Sequence, residues 1–426
     1  MNAFPEWLDV APWLERVRAS GPADVEAALA AERPGLRELA ALLSPAAAPY
    51  TERMAQRAQT LTRRHFGRTI ALYAPLYLSN HCASGCAYCG FAADRQQPRR
   101  KLSFDEVEAE LAALKRMGLE EILLLTGERT AEADFGYVRE CVLIAAAHFA
   151  LVTVEVFPMT VDEYRQLADA GATGLTLYQE TYDAERYAQV HRWGPKKDFL
   201  NRLEAPARAL EAGLRLAGLG VLLGLADPVA DALRLYRHAV ELEKRYWRAG
   251  YSLSFPRLRP EAGGYQAAYT VDDAFLARLI YALRLCLPEA HLTLSTREAP
   301  RFRDGMAGVG VSRMSVASRT TVGGYDQAPA AIRNTASPGA EPACPARLQR
   351  SRVTVPGASG MFTRSAPGKK RSDSSSMRMV EALVDETGQF EVHDRRGVDE
   401  FCAALRARGL EPVFKNWDAV YRVVGQ

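Results

Sequence analysis

The sequence predicts an α/β protein: a (β/α)8 barrel of the TIM type with a helical N-terminal extension and a short C-terminal closing segment. Between residues 69 and 326, short apolar runs alternate with helical stretches, which is typical of parallel strands joined by helical crossovers. Eight such runs occur within about 250 residues, the usual size of this barrel. An open doubly wound sheet is the alternative.

The chain begins with helical sequence. Residues 1–68 carry apolar residues three and four apart in segments such as "PADVEAALAAE" and "LRELAALLS", with Pro and Gly between them. No cofactor motif occurs there. We therefore assign residues 1–68 to a helical extension and residues 69–326 to the barrel.

Eight runs rich in Leu and β-branched residues are the predicted barrel strands. In parallel sheets ligands bind beyond the carboxyl ends of the strands, so functional residues are expected directly after each run. The runs are "TIALYAPLYLS" (69–79), "EILLLTG" (121–127), "LVTVEVFP" (151–158), "TGLTLYQE" (173–180), "LAGLGVLLG" (216–224), "YSLSFP" (251–256), "HLTLST" (291–296) and "GVSRMSVAS" (310–318).

The pattern changes after the eighth run. Residues 327–388 are rich in Ser, Pro, Gly and Arg, with nine Lys or Arg against five Asp or Glu. Low hydrophobicity cannot offset the entropy cost of ordering, so we predict a mobile basic insertion; a tail that binds an acidic partner is the alternative. Residues 389–426 include the helical stretch "GVDEFCAALRARG" and are predicted to form the closing segment.

The composition is that of an ordinary soluble globular protein. Of 426 residues, 48% are apolar and 25% charged, and 54 Lys and Arg nearly balance 51 Asp and Glu. This balance gives no reason to expect nucleic acid as a partner, and no long uncharged apolar run predicts a membrane span. Because no signal-peptide pattern occurs and four of the seven cysteines are scattered singly, we expect a cytoplasmic protein.

Three cysteines lie close together directly after the first predicted strand. Cys82, Cys86 and Cys89 form a C-x3-C-x2-C pattern in "CASGCAYC", and the small residues between them allow the backbone to wrap around a cluster. Three thiolates on a [4Fe–4S] cluster leave one iron open for another ligand. A zinc ion is the alternative, but no second cysteine pair accompanies the motif.

This motif resembles that of the radical S-adenosylmethionine (SAM) enzymes, with Tyr88 as the aromatic residue before the last cysteine. The resemblance implies a [4Fe–4S] cluster on Cys82, Cys86 and Cys89, with SAM on the open iron. In that family an electron from the cluster cleaves SAM to methionine and a 5′-deoxyadenosyl radical. The protein positions and shields the reaction.

Two glycine-containing strand ends resemble the SAM-binding motifs of this family. Gly127 and Glu128 follow the second strand in "LLLTGER", which resembles the motif that receives the SAM amino group. Gly220 and Gly224 lie in "AGLGVLLGLADP", where the family stacks adenine. An ordinary strand end and a bend in the barrel are the respective alternatives.

A polar segment after the fourth strand indicates which branch of the radical SAM enzymes the chain resembles. "YQETYDAERYAQVHRWGPKKDFLNRLEA" is similar to the aromatic amino-acid lyase branch, in which a Glu and an Arg contact SAM; here these are Glu180 and Arg202. In that branch an Arg clamps the substrate carboxylate and a Ser assists, which implies Arg297 and Ser315, with Tyr88 near both ligands. A salt bridge in the barrel rim is the alternative for Arg297.

The end of the chain resembles the tyrosine lyases of thiazole biosynthesis, the 2-iminoacetate synthases. The resemblance implies cleavage of the Cα–Cβ bond of L-tyrosine to 2-iminoacetate and p-cresol, a complex with thiazole synthase and a reducing electron donor. Alternatives are a tryptophan lyase, a hydrogenase-maturation lyase and a non-catalytic iron–sulfur scaffold. The hydrogenase-maturation lyase has a second set of cluster cysteines near its C-terminus, where this chain has only Cys344 and Cys402.

Overall fold

The eight predicted strands form a closed parallel barrel. A computed structural model of the chain describes residues 4–326 and 388–414, which belong to one compact unit. The strands are β1 (Thr69–Tyr77), β2 (Glu121–Leu125), β3 (Leu151–Glu155), β4 (Gly174–Thr176), β5 (Leu216–Gly220), β6 (Gly250–Ser254), β7 (His291–Leu294) and β8 (Arg313–Ser315), and β1 pairs with both β2 and β8. The barrel prediction is therefore confirmed, and the open doubly wound sheet is excluded.

Thirteen α-helices are seen in the described ranges, four of them before the barrel. Several begin at a side chain that caps free backbone N–H groups: Ser103 and Thr160 accept from the N3 amide in capping boxes. The helices are α1 (Ala11–Ala19), α2 (Pro22–Ala30), α3 (Leu36–Leu42), α4 (Thr51–Phe66), α5 (Phe104–Arg116), α6 (Phe135–His148), α7 (Val161–Asp169), α8 (Ala184–Val190), α9 (Phe199–Glu211), α10 (Pro228–Arg245), α11 (Asp273–Cys286), α12 (Pro300–Met306) and α13 (Val398–Ala407).

The first four helices share their core with the barrel. Helices α3 and α4 pack on α11, and fully buried residues such as Leu39 and Met54 belong to the same apolar core as the strands. The predicted extension is therefore helical, but it has no separate core. No helix in either described range is long and apolar enough to cross a bilayer.

A ninth strand was not predicted. β9 (Glu411–Val413) pairs in parallel with the first residues of β1, with Thr69 opposite Glu411. It follows α13, the predicted helix of the closing segment. The predicted insertion, with the exception of Gly388, and residues 415–426 lie outside the described residues.

Two residues after barrel strands have strained backbones. Glu180, after β4, has φ +70°, and Ala317, after β8, has φ +50°. Residues other than glycine rarely adopt a positive φ, and backbone strain of this kind is concentrated at functional sites. Both residues lie beyond the carboxyl ends of the strands, where the sequence places the site.

Candidate active site

The three clustered cysteines lie on the loop between β1 and α5. Their loop is tied to the next elements of the rim: the Ala87 amide donates to the carbonyl of Val190 at 2.8 Å. Cys86 is buried, whereas Cys82 and Cys89 keep some exposure, and all three thiols are free. The loop therefore presents three thiols above the barrel.

Burial makes the three thiols harder to ionise. Burial raises the pKa of Cys82 to about 11, and it also raises the pKa of Cys86 and Cys89, so a metal would have to displace their protons. In the described part of the chain, no group of three or more His, Cys, Asp or Glu side chains gathers around one point closely enough for a metal ion.

Glu128 brings an unsatisfied carboxylate oxygen to the cysteine loop. Its amide donates to Cys82 Sγ at 3.3 Å, and its Oε1 accepts from Arg202 Nη1 at 2.9 Å. Its Oε2 is buried without a hydrogen-bond partner. A buried carboxylate oxygen is costly unless a donor satisfies it, so the site fits an incoming ammonium group. SAM carries such a group.

Glu180, Lys196 and Arg202 form a charged network beside the thiols. Lys196 Nζ lies 2.7 Å from Glu180 Oε1, and Arg202 Nη2 lies 3.9 Å from the same oxygen. Burial disfavours the charged carboxylate, but Lys196 and Arg202 outweigh it and lower the pKa of Glu180. Arg202 also donates from Nε to the carbonyl of Tyr178, and its Nη2 makes no close hydrogen bond to a described residue, so Nη2 can meet a further ligand.

The structure gives each predicted glycine a reason within the fold. A Cβ on Gly127 would lie 2.4 Å from the carbonyl oxygen of His81, in the cysteine loop. A Cβ on Gly220 would lie 2.5 Å from the ring of Tyr178, and Gly224 has φ +110°. Close approach of adenine to Gly220 and Gly224 stays a prediction.

Tyr88 is fixed by a hydrogen bond to His191. Its hydroxyl lies 2.7 Å from Nε2 of this fully buried histidine. Burial, with Lys196 and Arg202, holds the pKa of His191 well below its usual value, so the ring is neutral. Because Nδ1 faces the carbonyl of Tyr187 at 2.9 Å, Nδ1 donates and Nε2 accepts from Tyr88. This hydrogen bond fixes the ring of Tyr88, which can therefore form one wall of the site.

The structure brings Arg297 and Ser315 together at the ends of β7 and β8, of which β8 pairs with β1. The amide of Thr296, which precedes Arg297, donates to Ser315 Oγ at 3.1 Å. The guanidinium of Arg297 lies 3.3 Å above the ring centre of Phe390, in the closing segment. The adjacent carboxylate, Glu298, is taken by other arginines, and no ion pair to Arg297 is seen in the described residues. The rim salt bridge is thus not observed there.

Three further polar residues at this site were not predicted as site residues. Lys196 pairs with Glu180, and Glu155 ends β3 inside the barrel. Gln389 links two parts of the site: its Nε2 donates to Cys89 Sγ at 3.6 Å, and its Oε1 accepts from the hydroxyl of Tyr77 at 2.8 Å. Lys196 lies in the quoted polar segment, whereas the alternation of Thr153 and Glu155 with valines in "LVTVEV" was the only sign of Glu155.

Two family models match the chain. Residues 76–236 match the radical SAM superfamily, and residues 254–411 match the Biotin and Thiamin Synthesis associated domain. The first match contains the cysteine loop, the Glu128 strand end and the segment from Glu180 to Arg202. The second contains Arg297 and Ser315.

The most informative relatives are similar over nearly their full length. The chain is 38% identical to the 2-iminoacetate synthases of Escherichia coli (strain K12) and Salmonella typhimurium, over 97% of this chain and 95% of each relative. Its fold is similar to HydG, a maturase of the [FeFe]-hydrogenase, with TM-score 0.80, 27% identity and coverage of 98% of this chain and 82% of that chain. Methylornithine synthase (PylB) shares the fold, with TM-score 0.64 at 17% identity and coverage of 94% and 99%. The chain therefore belongs to the 2-iminoacetate synthase family of the radical SAM superfamily.

Proposed function

We propose that the chain is a radical SAM carbon–carbon lyase that cleaves the Cα–Cβ bond of L-tyrosine to 2-iminoacetate and p-cresol, with SAM converted to 5′-deoxyadenosine and methionine. The observation that carries this proposal is the 38% identity, over nearly full length, to 2-iminoacetate synthases. The product would supply the thiazole of thiamine.

The residues of the loop fit the cofactors of this family. Cys82, Cys86 and Cys89 would hold a [4Fe–4S] cluster, and Glu128 Oε2 would accept from the SAM amino group. Gly127 lets the strand end approach the loop. When bound, the two cofactors supply the radical that starts the cleavage. The protein's own residues bind and orient the reactants and exclude water.

Charged side chains on two sides of the rim would hold SAM and the substrate. Glu180 and Arg202 face the cysteine loop and would contact SAM, with Gly220 and Gly224 beneath the adenine. Arg297, which has a guanidinium free of carboxylates in the described residues, would clamp the tyrosine carboxylate, assisted by Ser315. Tyr88 would form a wall between them.

We further propose a cytoplasmic enzyme that works with an electron donor and hands its product to thiazole synthase. A reduced cluster needs a donor, and 2-iminoacetate hydrolyses readily in water. The closing segment supports a sheltered site, because Gln389 and Phe390 lie directly against the cysteine loop and Arg297.

Gln389 offers a test of the cluster that does not depend on turnover. Gln389→Leu is expected to lower the reduction potential of the reconstituted cluster, because an N–H···S hydrogen bond stabilises the more negative reduced state. A redox titration followed by electron paramagnetic resonance measures this. Tyr77→Phe keeps the donor to Cys89 and should give a smaller shift. An unchanged potential in Gln389→Leu contradicts the contact.

The activity is tested by anaerobic reconstitution with iron, sulfide, SAM and a reductant. We expect tyrosine, and not tryptophan, to raise the yield of 5′-deoxyadenosine and to give p-cresol. A higher yield with tryptophan would make the chain a tryptophan lyase. Absence of 5′-deoxyadenosine under all conditions would leave a non-catalytic scaffold and overturn the proposal.

A further inference from the structure

Glu155 is an ionisable side chain in the barrel for which the proposed reaction has no role so far. It is the last residue of β3, where strand alternation turns Val152 and Val154 outward into the apolar core and Thr153 and Glu155 inward. The side chain lies deep in the protein, yet it keeps accessible surface. It therefore faces a space inside the barrel.

No group in the described residues satisfies the carboxylate of Glu155. Two of the nearby cations are engaged elsewhere, since Lys196 pairs with Glu180 and Arg202 with Glu128. The third, Arg297, stacks on Phe390. No hydrogen bond or ion pair joins a described residue to the Glu155 side chain. An unpaired carboxylate in such a place is costly, and a bound ligand with a donor group would remove that cost.

The surroundings of Glu155 mix charges of both signs with phenol rings. Burial and the charge of Glu180 raise its pKa to about 7, and Arg297, Lys196 and Arg202 offset this only in part. Three tyrosines also lie near enough to interact with its charge. They are Tyr73, Tyr77 and Tyr178. At neutral pH the carboxylate is thus poised between its charged and neutral forms.

Register places Glu155 below Glu128, which would hold the SAM amino group, and below Arg297, which would hold the substrate carboxylate. Glu155 pairs with Leu125, at the level of the strand ends, whereas Glu128 and Arg297 each lie three residues beyond the end of their strand. In the strand order, β3 and β7 stand on opposite sides of the barrel. A tyrosine held at Arg297 can therefore extend its side chain down and across, toward Glu155.

The hydroxyl is the one polar group of a tyrosine side chain. We propose that Glu155 accepts a hydrogen bond from the phenol hydroxyl of the substrate and so selects tyrosine against phenylalanine. This inference rests on the proposed function. A site built to bond a hydroxyl rejects the analogue without it, because the buried polar group is left unpaired.

The test compares tyrosine and phenylalanine as ligands of the reconstituted holoenzyme. In Glu155→Leu, kcat/KM for tyrosine should fall about 10²-fold or more, and tyrosine should lose its advantage over phenylalanine in equilibrium binding. Glu155→Gln keeps an acceptor oxygen, so it should retain part of the preference. Thr153→Val, on the same inward face, should keep the full preference.

The pH dependence of binding adds a second readout. Because the ionised carboxylate is the stronger acceptor, tyrosine binding to the wild-type protein should tighten as pH rises through about 7, and Glu155→Gln should lose this dependence. The inference is overturned if Glu155→Leu keeps the preference for tyrosine. It is also overturned if Glu155→Gln keeps the preference and binds tyrosine with the pH profile of the wild-type protein. Failure of the wild-type protein to cleave tyrosine would instead overturn the proposed function.

Discussion

Replacement of Cys86 by serine is expected to abolish cluster assembly and to reduce 5′-deoxyadenosine formation to background. Cys86 is 4% exposed, and its loop is fixed by the bond from the next amide, Ala87, to Val190. A neighbouring residue cannot move in to replace the thiol, and a serine hydroxyl is a poor ligand for iron because soft thiolates are preferred in such clusters. Iron and sulfide content, visible absorption and product analysis measure the loss.

Cys286→Ser is the matched control for that experiment. Cys286 is also a buried free cysteine, but it lies on α11 and its thiol donates to the carbonyl of Gly35, a bond that a serine hydroxyl can also make. This variant should assemble the cluster and retain activity. If Cys86→Ser bound a full cluster and produced 5′-deoxyadenosine, the assignment of the three-cysteine loop would be wrong.

The barrel could be predicted because parallel strands that are buried on both faces have continuous apolar sequences. Each of the eight runs, from "TIALYAPLYLS" to "GVSRMSVAS", coincides with an observed strand, although β6 begins one residue before its run, at Gly250, and β4 and β8 are only three residues long. β9 was missed because three residues that include Pro412 carry little strand signal. Its pairing with β1 depends on the docking of the closing segment, which is a tertiary effect.

The candidate site could be predicted only where its residues form a motif within a short stretch of sequence. The cysteine loop and Glu128 are next to one another in the structure, as the strand-end argument expects. Lys196 lies in the quoted polar segment, but its pairing with Glu180 depends on the fold of a loop. Glu155 and Gln389 gave no comparable signal, because their places depend on the closed barrel and on a segment some 300 residues away. Contacts of that kind arise from the tertiary fold and leave no local pattern.

Asp394→Ala is expected to destabilise the protein by about 3–5 kcal/mol, because it leaves a buried arginine without its counter-charge. Asp394 is 0% exposed and pairs with Arg303, which is itself 1% exposed and also donates to the carbonyl of Ser315 at the end of β8. The change should lower Tm and expose the closing segment to proteolysis. Burial opposes ionisation of Asp394, but Arg396 and Arg303 outweigh it and lower its pKa, so the contribution should be present at neutral pH and vanish as pH falls below about 4.

The matched control is Asp304→Ala, on the neighbouring helix α12. Among the described residues Asp304 pairs with Arg396 alone, at 2.8 Å, and it keeps 21% of its side-chain surface exposed, so its loss should cost about 1 kcal/mol or less. Because Arg303 holds the end of β8, Asp394→Ala should also weaken tyrosine binding at Ser315 and Arg297, whereas Asp304→Ala should leave it unchanged. Equal losses of Tm in the two variants would show that the buried pair does not fasten the closing segment to the barrel.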